Sequence, residues 1–162
     1  MSLPLYPRDV RVTGIDISRE MLARADARRR GSNLDHVVAL RCLDAERMDF
    51  PDNSFDKAVA MYVASVVPRP ARLIDEMRRV CRPEGALFIV NHFLHAHPLV
   101  RGIERLLAPF SRKMGFRPDF PLDEFIRETG LDVEERLPVN GLGYWTLLRA
   151  RNNKSTVRIA AN

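Results

Sequence analysis

Short apolar runs alternate with amphipathic stretches along the first half of the chain. The runs are rich in β-branched and aromatic residues and are bounded by polar or turn-forming positions, which is typical of strands. The last run is apolar without a break, as in a strand that is covered on both faces. The four predicted strands are Val10–Asp16, His36–Leu43, Phe55–Val63 and Ala86–Val90.

Two helices are predicted between these strands. Ser18 is a suitable N-cap for a helix over Arg19–Arg30, and Gly31 ends that helix. A second helix is predicted over Pro70–Val80, and a turn over Arg82–Gly85 follows it. The apolar residues of the second helix recur on one face, at Leu73, Ile74, Met77 and Val80.

The pattern changes after His92. Apolar residues at near-helical spacing predict a helix over Pro98–Phe116, which Pro109 should kink. Beyond it, the sequence predicts a short helix that Gly130 ends, an antiparallel hairpin and a polar tail. Their ranges are Leu122–Thr129 for the helix, Val133–Val139 and Tyr144–Ala150 for the strands, Asn140–Gly143 for the turn, and 152–162 for the tail.

This order of elements predicts an α/β fold. We expect a Rossmann-like, mostly parallel sheet with helices on both faces and a C-terminal antiparallel hairpin. A length of 162 residues is enough for one modest domain, which we place at residues 1–151. Residues 98–129 are interpreted as a lid or acceptor-binding segment, and residues 152–162 as a flexible tail.

Charge and cysteine content narrow the class of protein without defining it. The net charge of +5 fits an anionic partner and fits a simple arginine bias equally well. No apolar run is long enough to span a membrane, and no metal-ligand spacing surrounds the two cysteines, Cys42 and Cys81. We therefore expect a reduced, cytoplasmic protein and exclude a secreted disulfide scaffold, a zinc module and an integral membrane protein.

Chemistry-bearing residues follow the predicted strands. Ligands of open α/β sheets bind beyond the carboxyl ends of the strands. Asp16 can accept hydrogen bonds from both hydroxyls of a ribose there, or it can simply cap the next helix. Asp44 and Ala45 can receive the edge of an adenine, although Asp44 alone is also an ordinary turn residue. The other two strands end on Met61–Tyr62 and Asn91–His92.

Three segments together resemble the class I S-adenosylmethionine-dependent methyltransferases: Gly14–Ser18, Asp44–Asp56 and Glu76–Gly85. The resemblance covers about residues 8 to 150 and implies S-adenosylmethionine as the cofactor. It implies that Asp16 binds the ribose, that Ile17 packs on the adenine, and that Asp44 and Ala45 read the adenine edge. Met61 and Tyr62 are implied to line the methionine side of the cofactor.

Three further segments are similar to bacterial phosphatidylethanolamine N-methyltransferases of the peripheral type: Leu3–Pro7, Met61–Pro68 and Ile89–Phe93. This narrower resemblance implies transfer of methyl groups to the amine of phosphatidylethanolamine, which gives phosphatidylcholine. Quinone-pathway methyltransferases share much of the same framework, so they and other small-molecule methyltransferases stay as alternatives.

The family's glycine loop has no counterpart in the chain. Such a loop lies about 20 residues before the acidic strand end, which from Asp16 falls upstream of Met1. We therefore expect an N-terminally truncated chain that lacks the first strand and the glycine loop. A non-catalytic methyltransferase fragment accordingly remains an alternative.

The acceptor site is expected after the fourth strand. An amine must lose a proton during methylation, so His92 is a candidate proton acceptor, as are Tyr62 and Tyr144. Basic side chains accompany the apolar stripe of the Pro98–Phe116 segment, which can lie on an anionic membrane surface or close over the cofactor as a lid. These basic residues are Arg101, Arg105, Arg112 and Lys113.

Two rival classes fit the sequence poorly. A nicotinamide-dependent reductase of the short-chain type needs a lysine four residues after its tyrosine, and none of the three tyrosines has one. Amino-methylating enzymes of nucleic acids carry an Asn/Asp-Pro-Pro-aromatic run where this chain has Met61–Ala64. We therefore expect no nucleic-acid substrate; the sequence makes no prediction about the oligomeric state.

Overall fold

The computed structural model describes residues 2–93, 121–139 and 145–154. The chain divides into two compact units, residues 1–49 and residues 50–162. The predicted helix over Pro98–Phe116 and the predicted turn over Asn140–Gly143 lie outside the described residues. The same is true of five predicted site residues: Arg101, Arg105, Arg112, Lys113 and Tyr144.

The first unit has a strand–helix–strand order. A 3-10 turn over Leu3–Leu5 is followed by β1 (Val12–Asp16), α1 (Arg19–Gly31) and β2 (Val37–Cys42). The two strands pair in parallel, so that Asp16 lies opposite Cys42 at their carboxyl ends. The Ser18 hydroxyl accepts a hydrogen bond from the Met21 N–H at 3.3 Å, which confirms the predicted N-cap of α1.

The second unit contains a four-stranded mixed sheet in the order β3-β4-β6-β5. Strands β3 and β4 are parallel, whereas β6 is antiparallel to both β4 and β5. The predicted apolar face of α2 is buried, with Leu73 and Ile74 at most 1% exposed. The elements are β3 (Phe55–Met61), α2 (Pro70–Val80), β4 (Cys81–Asn91), α3 (Leu122–Thr129), β5 (Asp132–Val139) and β6 (Trp145–Arg151).

The predicted α/β class is confirmed, and the main departure in local structure is at the start of β4. The predicted turn over Arg82–Gly85 lies inside this strand, because β4 begins at Cys81. Glu84 has a left-handed φ of 60° there. Only glycine fits at position 85, because a Cβ would lie 2.7 Å from the Asp56 carbonyl oxygen.

Helix α3 packs within the second unit. The Arg78 guanidinium of α2 donates hydrogen bonds to the carbonyl oxygens of Thr129 and Gly130, both at 2.7 Å. Phe125 is 2% exposed, and its ring lies 5.7 Å from the ring of Phe93. The portion of the expected lid segment that the structure describes therefore belongs to a packed core. None of the described helices has the length and apolarity needed to cross a bilayer.

The expectation of a flexible tail from Asn152 onward is wrong for its first residues. Asn152 is fully buried, and its amide donates to the carbonyl oxygens of Arg78, Cys81 and Arg82 at 2.8–3.0 Å. The Lys154 ammonium donates to three carbonyls at the same helix end, at 2.6–3.1 Å. Both side chains satisfy carbonyl groups that the end of α2 leaves without intrahelical partners.

We expect Asn152→Ala to lower the free energy of unfolding by about 1–3 kcal/mol, because three carbonyl oxygens each lose one hydrogen-bond donor and only those of Arg78 and Cys81 keep Lys154. Urea denaturation followed by circular dichroism measures this change. Asn153→Ala is the matched control, since the Asn153 side-chain oxygen has no hydrogen-bond partner among the described residues. Equal effects of the two substitutions would contradict a capping role for Asn152.

The two cysteines should differ in reactivity. Cys42 is exposed and Cys81 is buried, and burial raises the pKa of the Cys81 thiol. A raised pKa leaves less thiolate at a given pH, so iodoacetamide at about pH 8 should alkylate Cys42 and spare Cys81. Mass spectrometry of the labelled peptides checks this result, and alkylation of Cys81 is expected only in denaturant. Equal labelling of both thiols in the folded protein would contradict the prediction that burial protects the Cys81 thiol.

Candidate functional site

The first unit brings two carboxylates to one edge of its sheet. Asp16 is the last residue of β1, and Asp44 follows the end of β2 by two positions. The backbone N–H of Leu43 donates to the Asp16 carbonyl oxygen at 3.2 Å, which continues the parallel pairing to the residue before Asp44. This register agrees with the sequence-based expectation that Asp16 and Asp44 lie at the carboxyl ends of two neighbouring parallel strands.

Each carboxylate makes one local hydrogen bond. Oδ1 of Asp16 accepts from the Ser18 N–H and Oδ1 of Asp44 accepts from the Glu46 N–H, both at 2.8 Å. Among the described residues these are the hydrogen bonds that the two carboxylates make, so their Oδ2 atoms are open to a ligand's donors. Asp16 therefore holds the start of α1 while it keeps capacity for a ligand.

The neighbours of these carboxylates differ in exposure. Ile17 is 74% exposed, so a large apolar side chain stands in solvent directly beside Asp16. Ala45 is half-buried, and Glu46 is only 5% exposed. An edge that combines hydrogen-bond acceptors with an uncovered apolar side chain matches the chemistry of adenosine, which offers hydroxyl and amino donors and a flat apolar ring.

The second unit places a ring cluster at the carboxyl ends of β3 and β4. Tyr62 directly follows β3, and its N–H donates to the Val90 carbonyl oxygen at 2.7 Å. The Tyr62 ring is edge-on to Trp145, with ring centroids 4.5 Å apart and planes inclined by 65°. The His92 ring lies 6.1 Å from the Trp145 ring, again nearly perpendicular to it.

Buried polar groups support the end of β4 in this cluster. His92 is 1% exposed, and Asn91 is fully buried. The Asn91 amide donates to the His92 carbonyl oxygen at 2.8 Å, and Asn91 Oδ1 accepts from the Ser65 hydroxyl at 3.3 Å. His92 thus lies behind Trp145 in a packed environment, and its expected role as a direct proton acceptor stays a prediction.

Trp145 is the residue of this cluster that the sequence-based reasoning missed. It lies there because β6 pairs with β4 in a register that sets Thr146 opposite Asn91, so that Trp145 lies one position beyond. One signal was available in the sequence: Trp145 is the chain's single tryptophan, and it begins β6 shortly after two glycines, Gly141 and Gly143.

Comparisons with known proteins identify the class. A family model for a methyltransferase domain matches residues 1–89. A phosphatidylethanolamine N-methyltransferase of Cereibacter sphaeroides is 44% identical over 149 residues, which cover 92% of this chain and 73% of that protein. A demethylmenaquinone methyltransferase of Lactobacillus johnsonii is 30% identical over 112 residues, which cover 67% of this chain and 46% of that protein.

A solved structure shows the same fold. A SAM-dependent methyltransferase from Methanosarcina mazei superposes with a TM-score of 0.67 at 24% identity, over 93% of this chain and 86% of the other. The chain therefore belongs to the methyltransferase-domain family. It is a methyltransferase.

Proposed function

We propose that the chain binds the adenosine part of S-adenosylmethionine at the acidic edge of its first unit and methylates the amine of phosphatidylethanolamine. The observation that carries the cofactor assignment is the pair Asp16 and Asp44, each with an open Oδ2 at the carboxyl ends of paired parallel strands. In this assignment Asp16 holds the ribose hydroxyls, and Asp44 with the Ala45 N–H takes the adenine edge. Ile17 covers one face of the ring.

The fit follows from matching donors with acceptors. Ribose hydroxyls and the adenine amino group are donors, and a carboxylate accepts them in charge-assisted hydrogen bonds. The 74% exposure of Ile17 leaves its side chain available to a ring face, which removes apolar surface from water. Met61 and Tyr62 remain proposed for the methionine side of the cofactor.

The residues of the chain mainly position and hold the reactants. The bound cofactor supplies a methyl group already activated on a sulfonium, so the protein needs no strong nucleophile of its own. Its contribution is to orient the acceptor nitrogen toward that methyl group and to exclude water. The acceptor amine also loses a proton, and His92, one residue beyond β4, is the proposed acceptor for that proton.

Phosphatidylethanolamine is proposed as the acceptor because of the relative from Cereibacter sphaeroides, whose 44% identity extends over 92% of this chain. The demethylmenaquinone methyltransferase is less similar, at 30% identity over 67% of the chain. A quinone precursor is therefore the second candidate. Contact with an anionic membrane surface through Arg101, Arg105, Arg112 and Lys113 is part of this proposal.

We expect Asp16→Asn and Asp44→Asn each to weaken the binding of S-adenosylhomocysteine by about ten- to a hundredfold. The reason is that a hydrogen bond to a charged group contributes about 1.5–3 kcal/mol, whereas a neutral amide is a weaker acceptor. An amide oxygen still accepts the local N–H bond, so the fold should be kept. Isothermal titration calorimetry measures the affinities.

Asp35→Asn is the matched control for these variants. Asp35 is exposed in the same unit but precedes β2, so it lies at the opposite edge of the sheet. Its substitution should leave the affinity unchanged. If Asp16→Asn and Asp44→Asn bind S-adenosylhomocysteine within twofold of the unaltered chain, the proposed adenosine site is wrong.

The acceptor is tested by offering the chain S-adenosylmethionine and vesicles that contain phosphatidylethanolamine. We expect phosphatidylethanolamine with one or more added methyl groups, detected by lipid mass spectrometry, since the amine is the proposed nucleophile. Vesicles of phosphatidylglycerol serve as the control, because this lipid has no amine. Methylation of demethylmenaquinone with none of phosphatidylethanolamine would reject the lipid in favour of the second candidate.

A further inference from the structure

We propose that Tyr62 and Trp145 form two walls of a binding corner for the methylated ammonium group of the acceptor. This proposal rests on the proposed function and adds a site to it, the aromatic corner Tyr62–Trp145. The ligand class is a positively charged, methyl-bearing head group of the phosphocholine type.

Three strands build the corner by their pairing. Met61 lies opposite Val90, so Tyr62 comes directly beyond the β3–β4 ladder, and Asn91 lies opposite Thr146 on β6. Trp145 therefore projects from the same end of the sheet as Tyr62. The ring planes are inclined by 65° at a centroid separation of 4.5 Å, so the two rings meet edge to face and are not stacked, and in the proposal the cation lies in the angle between them.

The backbone of Tyr62 has a strained conformation. Its φ is 61°, a left-handed conformation that a bulky aromatic residue rarely adopts. The hydrogen bond from its N–H to the Val90 carbonyl oxygen fixes this conformation at 2.7 Å. Tyr62 is nevertheless 49% exposed, so burial of the ring does not account for the strain. Strained residues of this kind concentrate at ligand sites.

The chemistry of repeated amine methylation calls for such a surface. Each methyl group replaces an N–H, and a quaternary ammonium has no donor left to offer a carboxylate or carbonyl oxygen. Aromatic faces attract the cation itself, through the ring quadrupole, whatever the number of methyl groups. Phenol and indole rings are the two best side chains for this contact, and both are present in the corner.

The single tryptophan makes the corner directly observable, because the intrinsic tryptophan fluorescence of the chain comes from Trp145 alone. We expect phosphocholine to change this fluorescence saturably. Its carbon isostere, 3,3-dimethylbutyl phosphate, should bind about tenfold more weakly, since it keeps the shape and the phosphate but has a carbon in place of the quaternary nitrogen and so lacks the positive charge. Equal affinities, or no saturable response to phosphocholine, would overturn the proposal.

Two variants of Tyr62 separate binding from folding. Tyr62→Gly removes the ring but suits the left-handed φ, so it should keep the thermal midpoint while it weakens phosphocholine binding about tenfold. Tyr62→Phe keeps an aromatic face and should bind within about threefold of the unaltered chain. Undiminished binding by Tyr62→Gly would overturn the proposal.

The sulfonium of the cofactor is a methylated cation too, so the affinities for S-adenosylmethionine and S-adenosylhomocysteine are compared in the same variants. A Tyr62→Gly chain that loses its preference for the sulfonium but keeps its affinity for phosphocholine would limit Tyr62 to the methionine side of the cofactor, the role already proposed for it, and overturn the acceptor assignment. If the chain methylates phosphatidylethanolamine but Trp145 fluorescence gives equal affinities for phosphocholine and 3,3-dimethylbutyl phosphate, the corner alone is rejected. If phosphocholine binds more tightly but phosphatidylethanolamine is not methylated, the proposed function is rejected and the corner stands.

Discussion

Parallel strand pairing is the constraint on which both groups of candidate site residues depend. Strands that run in the same direction end at the same edge, so residues that are far apart along the chain meet where each strand stops. In the first unit this edge receives Asp16 and the segment that leads to Asp44. In the second it receives Tyr62 and the Asn91–His92 pair. The antiparallel return of β6 then adds Trp145.

The two groups have different chemistry because their strands end on different residue types. The acidic edge offers oxygen acceptors beside the exposed Ile17, which suits a nucleoside with several donors. The ring cluster combines the rings of Tyr62, Trp145 and His92 with the buried polar side chains of Asn91 and Ser65. Methyl transfer requires binding of both a nucleoside cofactor and an acceptor, and we propose the acidic edge for the first and the ring cluster for the second.

In the second unit, the carbonyl groups at the end of α2 receive their hydrogen bonds from distant side chains. The last turn of a helix leaves carbonyl groups without partners, and here Asn152 and Lys154 supply donors from beyond the last strand. Arg78 in the same helix caps the end of α3 in turn, through the Thr129 and Gly130 carbonyls. Asn152 and Lys154, which follow β6, are therefore packed against the end of α2, and α2 contacts both α3 and the sheet that carries the ring cluster.

The sequence by itself determined most of the described elements and the acidic edge. Pro70–Val80 is a helix with the predicted ends because its start and its apolar face are local signals, and Asp16 and Asp44 follow β-branched runs whose parallel pairing the strand–helix–strand order predicts. The tertiary structure alone decided the positions of Trp145 and Asn152. Trp145 reaches Tyr62 through the register between β4 and β6, and Asn152 reaches carbonyls about 70 positions away in the chain. Such contacts arise from long-range register and packing, which no local pattern of residues encodes.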